Sequence, residues 1–239
     1  MATFTGIRRL DRFSEDLDFS LLKSDSSFSL GVFGDSLKRE VSGFGFEVEF
    51  ESRKRSSNTQ IESAFVKANT LKELLVIEAG EDIARRMHPT KSLRIKIEVD
   101  TNPPGEFLTE TKYVLRPIPF SVRTFSPPDL FAGKLHAALC RRWRSRVKGR
   151  DWYDLVWYSA HYPEARLSHL ESRMRQTGDY ADAGPLAAQA LLQLLHERID
   201  ALDIEQARAE VTPFVRDRRS IDVWSADFFH EVVSEINFI

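Results

Sequence analysis

The sequence predicts an α+β protein, with strands in its first half and helices in its second. Residues 44–53 and 93–100 alternate apolar and charged side chains, which is the period of a half-buried strand. From the Ser-Pro-Pro-Asp sequence at 126–129 onward, the pattern becomes helical. Strands followed by helices are typical of α+β architecture. We therefore predict a sheet-containing domain over residues 1–128 and a helical domain over residues 129–239.

The strand predictions depend on an alternation of period two. In the segment LRIKIEVD, Leu93, Ile95, Ile97 and Val99 share one face, whereas the charged residues share the other. The segment FGFEVEFESR shows the same separation of phenylalanines from glutamates. Further strands are predicted at 63–68 and twice within 113–125, and a helix is predicted at 71–87.

The helix predictions begin at Asp129, which we interpret as an N-cap. An apolar helical face follows it, formed by Leu130, Leu135, Ala138 and Leu139. Later helices are predicted at 151–162, 185–202 and 226–236.

Composition limits the compartment and the class of the protein. The formal net charge of −2 does not indicate a nucleic-acid binder, so any such role must come from local clustering. Cys140 is the one cysteine in the sequence, which excludes an internal disulfide and fits a reducing compartment. No apolar run reaches the roughly 20 residues that span a bilayer, and the N-terminus lacks the apolar core of a signal peptide. We expect a cytoplasmic protein without a membrane partner.

Asp16 and Asp18 form the first candidate site. In an extended chain the two carboxylates lie on one face, with Leu17 and Phe19 on the other. Two close carboxylates repel each other unless a cation neutralises them, and Mg²⁺ prefers carboxylate oxygens. An exposed acidic turn is the alternative interpretation.

Glu98 lies on the polar face of a predicted strand and is a candidate third carboxylate. Asp100 is its neighbour on the same face, so the choice between the two stays open. A solvated strand face, on which Lys96 and Arg94 pair with Glu98, explains the pattern equally well.

Lys134 lies on the predicted helix beside the apolar residues Leu130, Leu135 and Ala138. A partly buried ammonium usually meets an anion. A triphosphate is one candidate and an intramolecular carboxylate is the other.

A dense basic run follows Lys134, interleaved with the aromatic residues Trp143, Trp152 and Tyr153. Arginines beside aromatic rings suit phosphate contact and base stacking with RNA, although a solvated face is an equal alternative. The basic residues are Arg141, Arg142, Arg144, Arg146, Lys148 and Arg150.

Asp151 and Asp154 open the next predicted helix, where the helix dipole favours acidic residues. Asp151 is therefore either a helix-terminal charge or a functional carboxylate. In the functional interpretation it orients Lys134 or helps to deprotonate an incoming hydroxyl.

Four segments together resemble the AbiEii/AbiGii family of nucleotidyltransferase toxins, from toxin–antitoxin and abortive-infection systems. They are RFSEDLDF, IKIEVDTNPP, PDLFAGKLHA and VKGRDWYDLVWY, spread over residues 12–158. The resemblance implies a polymerase-β-like nucleotidyltransferase fold with a mixed sheet, followed by a helical domain. It also implies transfer of a nucleoside monophosphate from an NTP to an RNA acceptor, with a tRNA 3′ end expected, and a cognate antitoxin as partner.

The resemblance also implies roles for individual residues. Asp16, Asp18 and Glu98 would bind metal, with two Mg²⁺ ions expected. Lys134 would hold the triphosphate and Asp151 would be a further catalytic acid. The expected nucleotide-binding residues are Ser14, Lys134 and Arg150. From the basic pattern itself, the expected RNA-binding residues are Arg141, Arg142, Arg144, Arg146 and Lys148.

One feature of the family is missing before Asp16, namely a Gly-Gly-Ser/Thr stretch that opens a helix and would cradle phosphates. Either the true start lies upstream or the chain has lost part of its nucleotide site, and we expect the former. Two other classes fit some of the same residues. A two-metal nuclease would use the same carboxylates, and a non-catalytic RNA- or protein-binding relative would keep only the basic run.

Overall fold

The computed structural model describes residues 2–4, 11–12, 16–43, 48–52, 61–68, 93–116, 118–141 and 147–239. The chain divides into two compact units. Unit 1 comprises Met1–Gly6 and Glu15–Pro103, and unit 2 comprises Ile7–Ser14 and Pro104–Ile239. The predicted helix at 71–87 lies outside the described residues.

Unit 1 contains a mixed sheet of five described strands. Strand β2 runs parallel to β5, whereas the pairs β1–β2, β3–β4 and β4–β5 are antiparallel. The strand predictions at 63–68 and 93–100 are therefore confirmed, and residues 16–19 lie in an extended strand, as the functional interpretation of Asp16 and Asp18 requires. The strands are β1 (Ala2–Phe4), β2 (Asp16–Leu21), β3 (Val48–Ser52), β4 (Ile61–Ala68) and β5 (Leu93–Asp100).

The core of unit 1 lies against the apolar face of β2 and β5. Leu21, Ile97 and Val99 are buried there together with Leu30. Leu30 begins a 3-10 turn, Leu30–Phe33, which leads directly into helix α1, Gly34–Ser42. This helix was missed in the sequence because its nine residues are mostly polar and no capping side chain marks its start.

Unit 2 begins with a β-hairpin and continues as a helical assembly. The hairpin consists of β6 (Thr109–Val114) and β7 (Phe120–Phe125). A short parallel pair, β8 (Glu164–Ala165) and β9 (Asn237–Phe238), ties the C-terminus to the middle of the unit. The helices are α2 (Pro127–Cys140), α3 (Gly149–His161), α4 (Leu167–Thr177), α5 (Ala188–Asp200), α6 (Ile204–Val211), α7 (Arg219–Asp222) and α8 (Ala226–Ser234).

The core of unit 2 is rich in aromatic side chains. Phe131 stacks on Tyr158 with ring centroids 5.4 Å apart, and Trp224 meets Phe229 edge-on at 5.1 Å. Phe125 of the hairpin is buried in the same cluster. Because its core residue packs with the helices, the hairpin groups with unit 2, whose second segment starts at Pro104.

The predicted N-cap of α2 was wrong. Ser126 is the N-cap residue and Pro127 opens the helix, which suits a proline because its missing N–H needs no partner there. Asp129 is buried, and its carboxylate accepts hydrogen bonds from Ser126 Oγ, from the Leu108 backbone N–H at 3.1 Å and from Arg166 Nε at 2.9 Å. The carboxylate of Asp129 therefore stabilises the packing of unit 2 by joining three of its segments.

The structure describes the whole predicted span of the later helices. Helix α3 begins two residues before the predicted start, α5 occupies a shorter span than predicted, and α8 begins at the predicted Ala226. Within the described part of the chain, no helix has both the length and the apolar character needed to cross a bilayer.

Candidate functional site

The acidic residues of unit 1 are brought together by the parallel pairing of β2 and β5. Asp18 lies directly opposite Glu98 in the register, and Asp16 lies opposite Lys96. Opposed residues on adjacent parallel strands project to the same side of the sheet. The pairing thus places Asp18 and Glu98 next to each other on one face.

That face is the accessible one. Ile97 and Val99 are buried on the opposite side, whereas Asp18 is exposed and Glu98 is half-buried. The alternation predicted from the sequence is therefore realised in the burial pattern. Of Asp16 the structure describes the strand pairing, and its side chain lies outside the described groups.

Asp100, the other candidate for the third carboxylate, has a structural role. Its Oδ1 accepts the backbone N–H of Asn102 at 3.0 Å, in the turn that ends β5. Asp100 also lies opposite Ser20 in the register, whereas Glu98 lies opposite an acidic residue. Glu98 is therefore the better partner for Asp18.

The donor set at this face fits a hard divalent cation. Carboxylate oxygens are the ligands that Mg²⁺ prefers, and adjacent carboxylates repel each other less when a cation lies between them. Asp18 and Glu98 supply two such groups, and their strands carry Asp16 and Asp100 at the neighbouring positions of the same face.

In unit 2, Lys134 of α2 is paired with Asp154 of α3. The Nζ of Lys134 lies 2.8 Å from Asp154 Oδ2. Arg12 reaches the same carboxylate with two bonds, from Nε to Oδ1 at 2.5 Å and from Nη2 to Oδ2 at 2.7 Å. Asp154 is thus the centre of a three-residue ion cluster.

This cluster is buried at its centre and partly accessible at Lys134. The side chain of Asp154 is 1% exposed, that of Arg12 is 8% exposed and that of Lys134 is 31% exposed. Burial opposes ionisation of Asp154, but Lys134 and Arg12 outweigh it and hold the pKa of Asp154 below its usual value. Burial also disfavours the charged form of Arg12, yet the bond to Asp154 leaves the pKa of Arg12 raised.

Asp151 lies one helical turn before Asp154 and has a different partner. Its two carboxylate oxygens lie 3.3 and 3.2 Å from Nη1 of Arg141, the residue that follows α2. Burial raises the pKa of Asp151 in spite of the nearby cations Arg141, Lys148 and Lys134. Burial, reinforced by Arg141, also lowers the pKa of Lys148.

The Gly149–Asp151 segment is fixed by close packing on α6. A Cβ on Gly149 would lie 2.0 Å from the carbonyl oxygen of Ala207, so glycine is required at this contact. The next residue, Arg150, donates its backbone N–H to Glu210 at 3.2 Å and places its guanidinium 4.2 Å from the ring centroid of Phe214.

The structure therefore gathers the predicted residues into one group in each unit. Asp18 and Glu98 meet in unit 1, and Lys134 and Asp151 lie near each other in unit 2. Of the basic run, Arg141, Lys148 and Arg150 are described, whereas Arg142, Arg144 and Arg146 lie outside the described residues, as does Ser14.

Sequence reasoning missed two members of the group in unit 2, Arg12 and Asp154. Both stand inside segments that carry the family resemblance, Arg12 at the start of RFSEDLDF and Asp154 within VKGRDWYDLVWY. Their opposite charges were a signal, but 142 positions separate them. No local pattern connects residues at that distance.

Together these features define a class, an α+β protein with an acidic sheet face in one unit and a lysine–carboxylate cluster in the other. The family model described as nucleotidyl transferase AbiEii toxin, type IV TA system, matches residues 5–232. The chain belongs to this family, as its motifs predicted, and membership implies a nucleotide substrate and an antitoxin partner. A search of characterised proteins found no match to the chain.

Proposed function

We propose that this chain is a metal-dependent nucleotidyltransferase that moves a nucleoside monophosphate from an NTP to the 3′ end of an RNA acceptor, a tRNA. The observation that carries the proposal is the register of β2 and β5, which sets Asp18 opposite Glu98. The mixed sheet around these strands supports a polymerase-β-type core. Toxin activity on the host's own RNA, in phage defence, would take place in the cytoplasm.

Asp16, Asp18 and Glu98 are the proposed metal ligands. Two Mg²⁺ ions bound there would supply charge neutralisation at the phosphates and activation of the attacking oxygen. The protein's own contribution at this face is geometric, because the strand register holds Asp18 and Glu98 side by side before any ion binds.

Lys134 is the proposed triphosphate ligand. An ammonium has three N–H donors, and among the described residues one ion pair, to Asp154, engages it. Asp154 fixes the position of the ammonium and leaves donors for phosphate oxygens. Ser14 and Arg150 are proposed as further nucleotide-binding residues.

Asp151 is the proposed general base. Its raised pKa makes the carboxylate a stronger proton acceptor than an ordinary aspartate. In the reaction the acceptor hydroxyl oxygen forms a bond to the α-phosphorus, and the bond from that phosphorus to pyrophosphate breaks. Pyrophosphate leaves with the electron pair, and the hydroxyl proton passes to Asp151.

The basic run is the proposed acceptor surface. Arg141 follows α2 and Lys148 precedes α3, and Arg142, Arg144 and Arg146 lie between them in the sequence. Neutralising charges in this run should weaken RNA binding and reduce its dependence on salt concentration.

The test is incubation of the chain with Mg²⁺, each α-labelled NTP and total bacterial RNA, followed by gel electrophoresis. We expect label on RNA with the native chain and at least a hundredfold less with Asp18→Asn or Glu98→Gln. Asp35→Asn is the matched control, since Asp35 is an exposed acidic residue of α1 in the same unit. Unlabelled RNA that is cleaved without NTP would instead identify a nuclease.

A non-catalytic RNA-binding relative is the second candidate. It is favoured by the internal pairing of Lys134 with Asp154 and of Asp151 with Arg141, which gives each of these charged groups a counter-charge within unit 2. RNA binding without any NTP-dependent label, in a folded protein, would support this candidate and contradict the transferase.

A further inference from the structure

Three side chains with metal-ligating atoms converge in unit 2 away from the lysine–carboxylate cluster. They are His136 and Cys140 of α2 and Asp179, which follows α4. One ligand atom from each lies within 4.8 Å of the other two. The set combines an imidazole, a thiol and a carboxylate, a different chemistry from the all-carboxylate face of unit 1.

The spacing of His136 and Cys140 places both on one side of α2. Residues four apart in an α-helix lie above each other on the same face. A His-x-x-x-Cys pair on a helix therefore presents two ligand atoms in one direction with no change of backbone.

The third residue is brought to this pair by the C-terminus of α4. Gly178 adopts φ of 77°, the left-handed conformation that glycine favours, and turns the chain back. The backbone N–H of Gly178 donates to the carbonyl oxygen of Arg175 at 3.2 Å, and that of Asp179 donates to the carbonyl oxygen of Met174 at 2.8 Å. These two hydrogen bonds form a Schellman motif. Asp179 is thus held by backbone hydrogen bonds at a fixed helix end.

Thr177 links two of the three ligands. Its Oγ1 lies 2.6 Å from Asp179 Oδ2 and 3.1 Å from Nε2 of His136. The Oγ1 atom also lies 3.1 Å from the carbonyl oxygen of Arg173 and 3.2 Å from that of Met174, so Thr177 is fixed at the end of the helix. Such outer contacts orient the ligands of protein metal sites.

Two of the three side chains can bring negative charge to a bound divalent cation. Arg173 and Arg141 would repel a cation, whereas the Asp179 carboxylate and a Cys140 thiolate would bring two negative charges. The thiolate forms when a metal displaces its proton.

A cavity of about 310 Å³ has two of the three residues, Cys140 and Asp179, in its wall. Met174 and Leu194 also line it, together with one acid, Glu197, and one base, Arg198. The site is therefore reachable by an ion, and a position on the cavity side is left for a water molecule or another small ligand.

We propose that His136, Cys140 and Asp179 form a site for a thiophilic divalent ion of the zinc class, with a fourth position on the cavity. Ligand atoms of tetrahedral zinc stand about 3.5 Å apart, so inward movement of the side-chain tips by about 1 Å completes the geometry. Cysteine and histidine select this class over Mg²⁺. The ion joins α2 to the end of α4.

The first experiment uses the untagged full chain, stripped with a chelator and titrated with Co²⁺. We expect saturable thiolate-to-cobalt charge-transfer absorption, which Zn²⁺ displaces and Mg²⁺ does not. We also expect Zn²⁺ to slow alkylation of Cys140, the one cysteine in the sequence, by at least tenfold. If Co²⁺ gives no such absorption and Zn²⁺ does not slow the alkylation of Cys140, the proposed metal site is wrong, and no variant is needed to show it.

Variants assign the ligands. Asp179→Asn and His136→Gln should weaken Co²⁺ binding at least tenfold, and Cys140→Ser should remove the charge-transfer absorption. His230→Ala is the matched control, because His230 and His196 form a separate pair with Nδ1 atoms 2.6 Å apart. The proposal is contradicted if His230→Ala lowers the affinity for Co²⁺ while His136→Gln and Asp179→Asn leave that affinity unchanged.

Discussion

The acidic residues of the two units are placed by different physical means. In unit 1, Asp18 and Glu98 are exposed or half-buried, and strand register alone sets them side by side. In unit 2, Asp154 is buried and its position depends on two cations from distant parts of the unit, Arg12 and Lys134. An accessible carboxylate such as Asp18 can bind a ligand, whereas a buried, ion-paired carboxylate such as Asp154 stabilises the packing of the unit.

Replacement of Asp154 should give the largest loss of stability. Asp154→Asn would leave Arg12 and Lys134 without their counter-charge, and a buried pair that loses one partner costs about 3–5 kcal/mol. Urea unfolding measures the change in the free energy of unfolding. Asp217→Asn is the matched control, since the Asp217–Arg219 pair is exposed and should contribute little. Equal effects of the two substitutions would contradict the central role of Asp154.

Substitution of Gly149 should give the second largest loss of stability. Gly149→Ala places a Cβ 2.0 Å from the Ala207 carbonyl oxygen, so α3 and α6 must separate at a cost of about 1–3 kcal/mol. Thermal unfolding measures the loss. Gly184→Ala serves as control because a Cβ at Gly184 meets no atom within 4 Å. If both variants have the same unfolding temperature as the native chain, the prediction of a close contact between α3 and α6 at Gly149 is wrong.

Acid should selectively weaken the Asp154 cluster. The folded-state pKa of Asp154 is lowered, so its contribution is present above the unfolded pKa, near 3.8, and is lost as pH falls through the folded value. The difference in unfolding free energy between the native chain and Asp154→Asn should therefore be constant near neutrality and shrink below about pH 4. A difference that shrinks already between pH 8 and pH 6 would exclude this ionisation as its cause.

Asp151 should behave in the opposite sense. Its pKa is raised by burial, so the charged form opposes folding above that pKa and the penalty fades as pH falls through it. Asp151→Asn should leave stability at pH 7 unchanged or slightly higher, while removing the proposed base and hence nucleotide transfer. A marked loss of thermal stability at pH 7 would assign Asp151 to packing, beside Asp154.

The acidic face of unit 1 should give the smallest change in stability. Asp18→Asn removes a charge from an exposed side chain, and such surface substitutions usually alter stability by less than about 0.5 kcal/mol. Nucleotide transfer should nevertheless be lost. Circular dichroism and urea unfolding, run beside the transfer assay, separate the two effects, and an active Asp18→Asn chain would refute the metal-binding role.

Much of the fold follows from local patterns in the sequence. The alternation in LRIKIEVD predicted β5 and its buried face correctly, and the Pro-Pro signal near residue 127 marked the region where α2 begins. The N-cap was assigned to Asp129 because acidic caps are common, but the hydrogen bonds of Asp129 to Leu108 and Arg166 depend on residues that lie elsewhere in the chain. Helix α1 was missed because its polar sequence lacks a strong periodic signal.

For the candidate sites, too, some features follow from local sequence patterns and others follow only from the tertiary structure. The sequence by itself determined that Asp18 and Glu98 occupy the polar faces of their strands, because side chains alternate in any extended chain. It also determined family membership through its motifs.

Only the tertiary structure decided that Lys134 meets Asp154 rather than Asp151, and that Asp179 joins His136 and Cys140. Pairings of this kind depend on how helices pack and where their ends turn, which no local spacing encodes. Periodicity fixes the face on which a residue lies, and packing of distant segments fixes its partner.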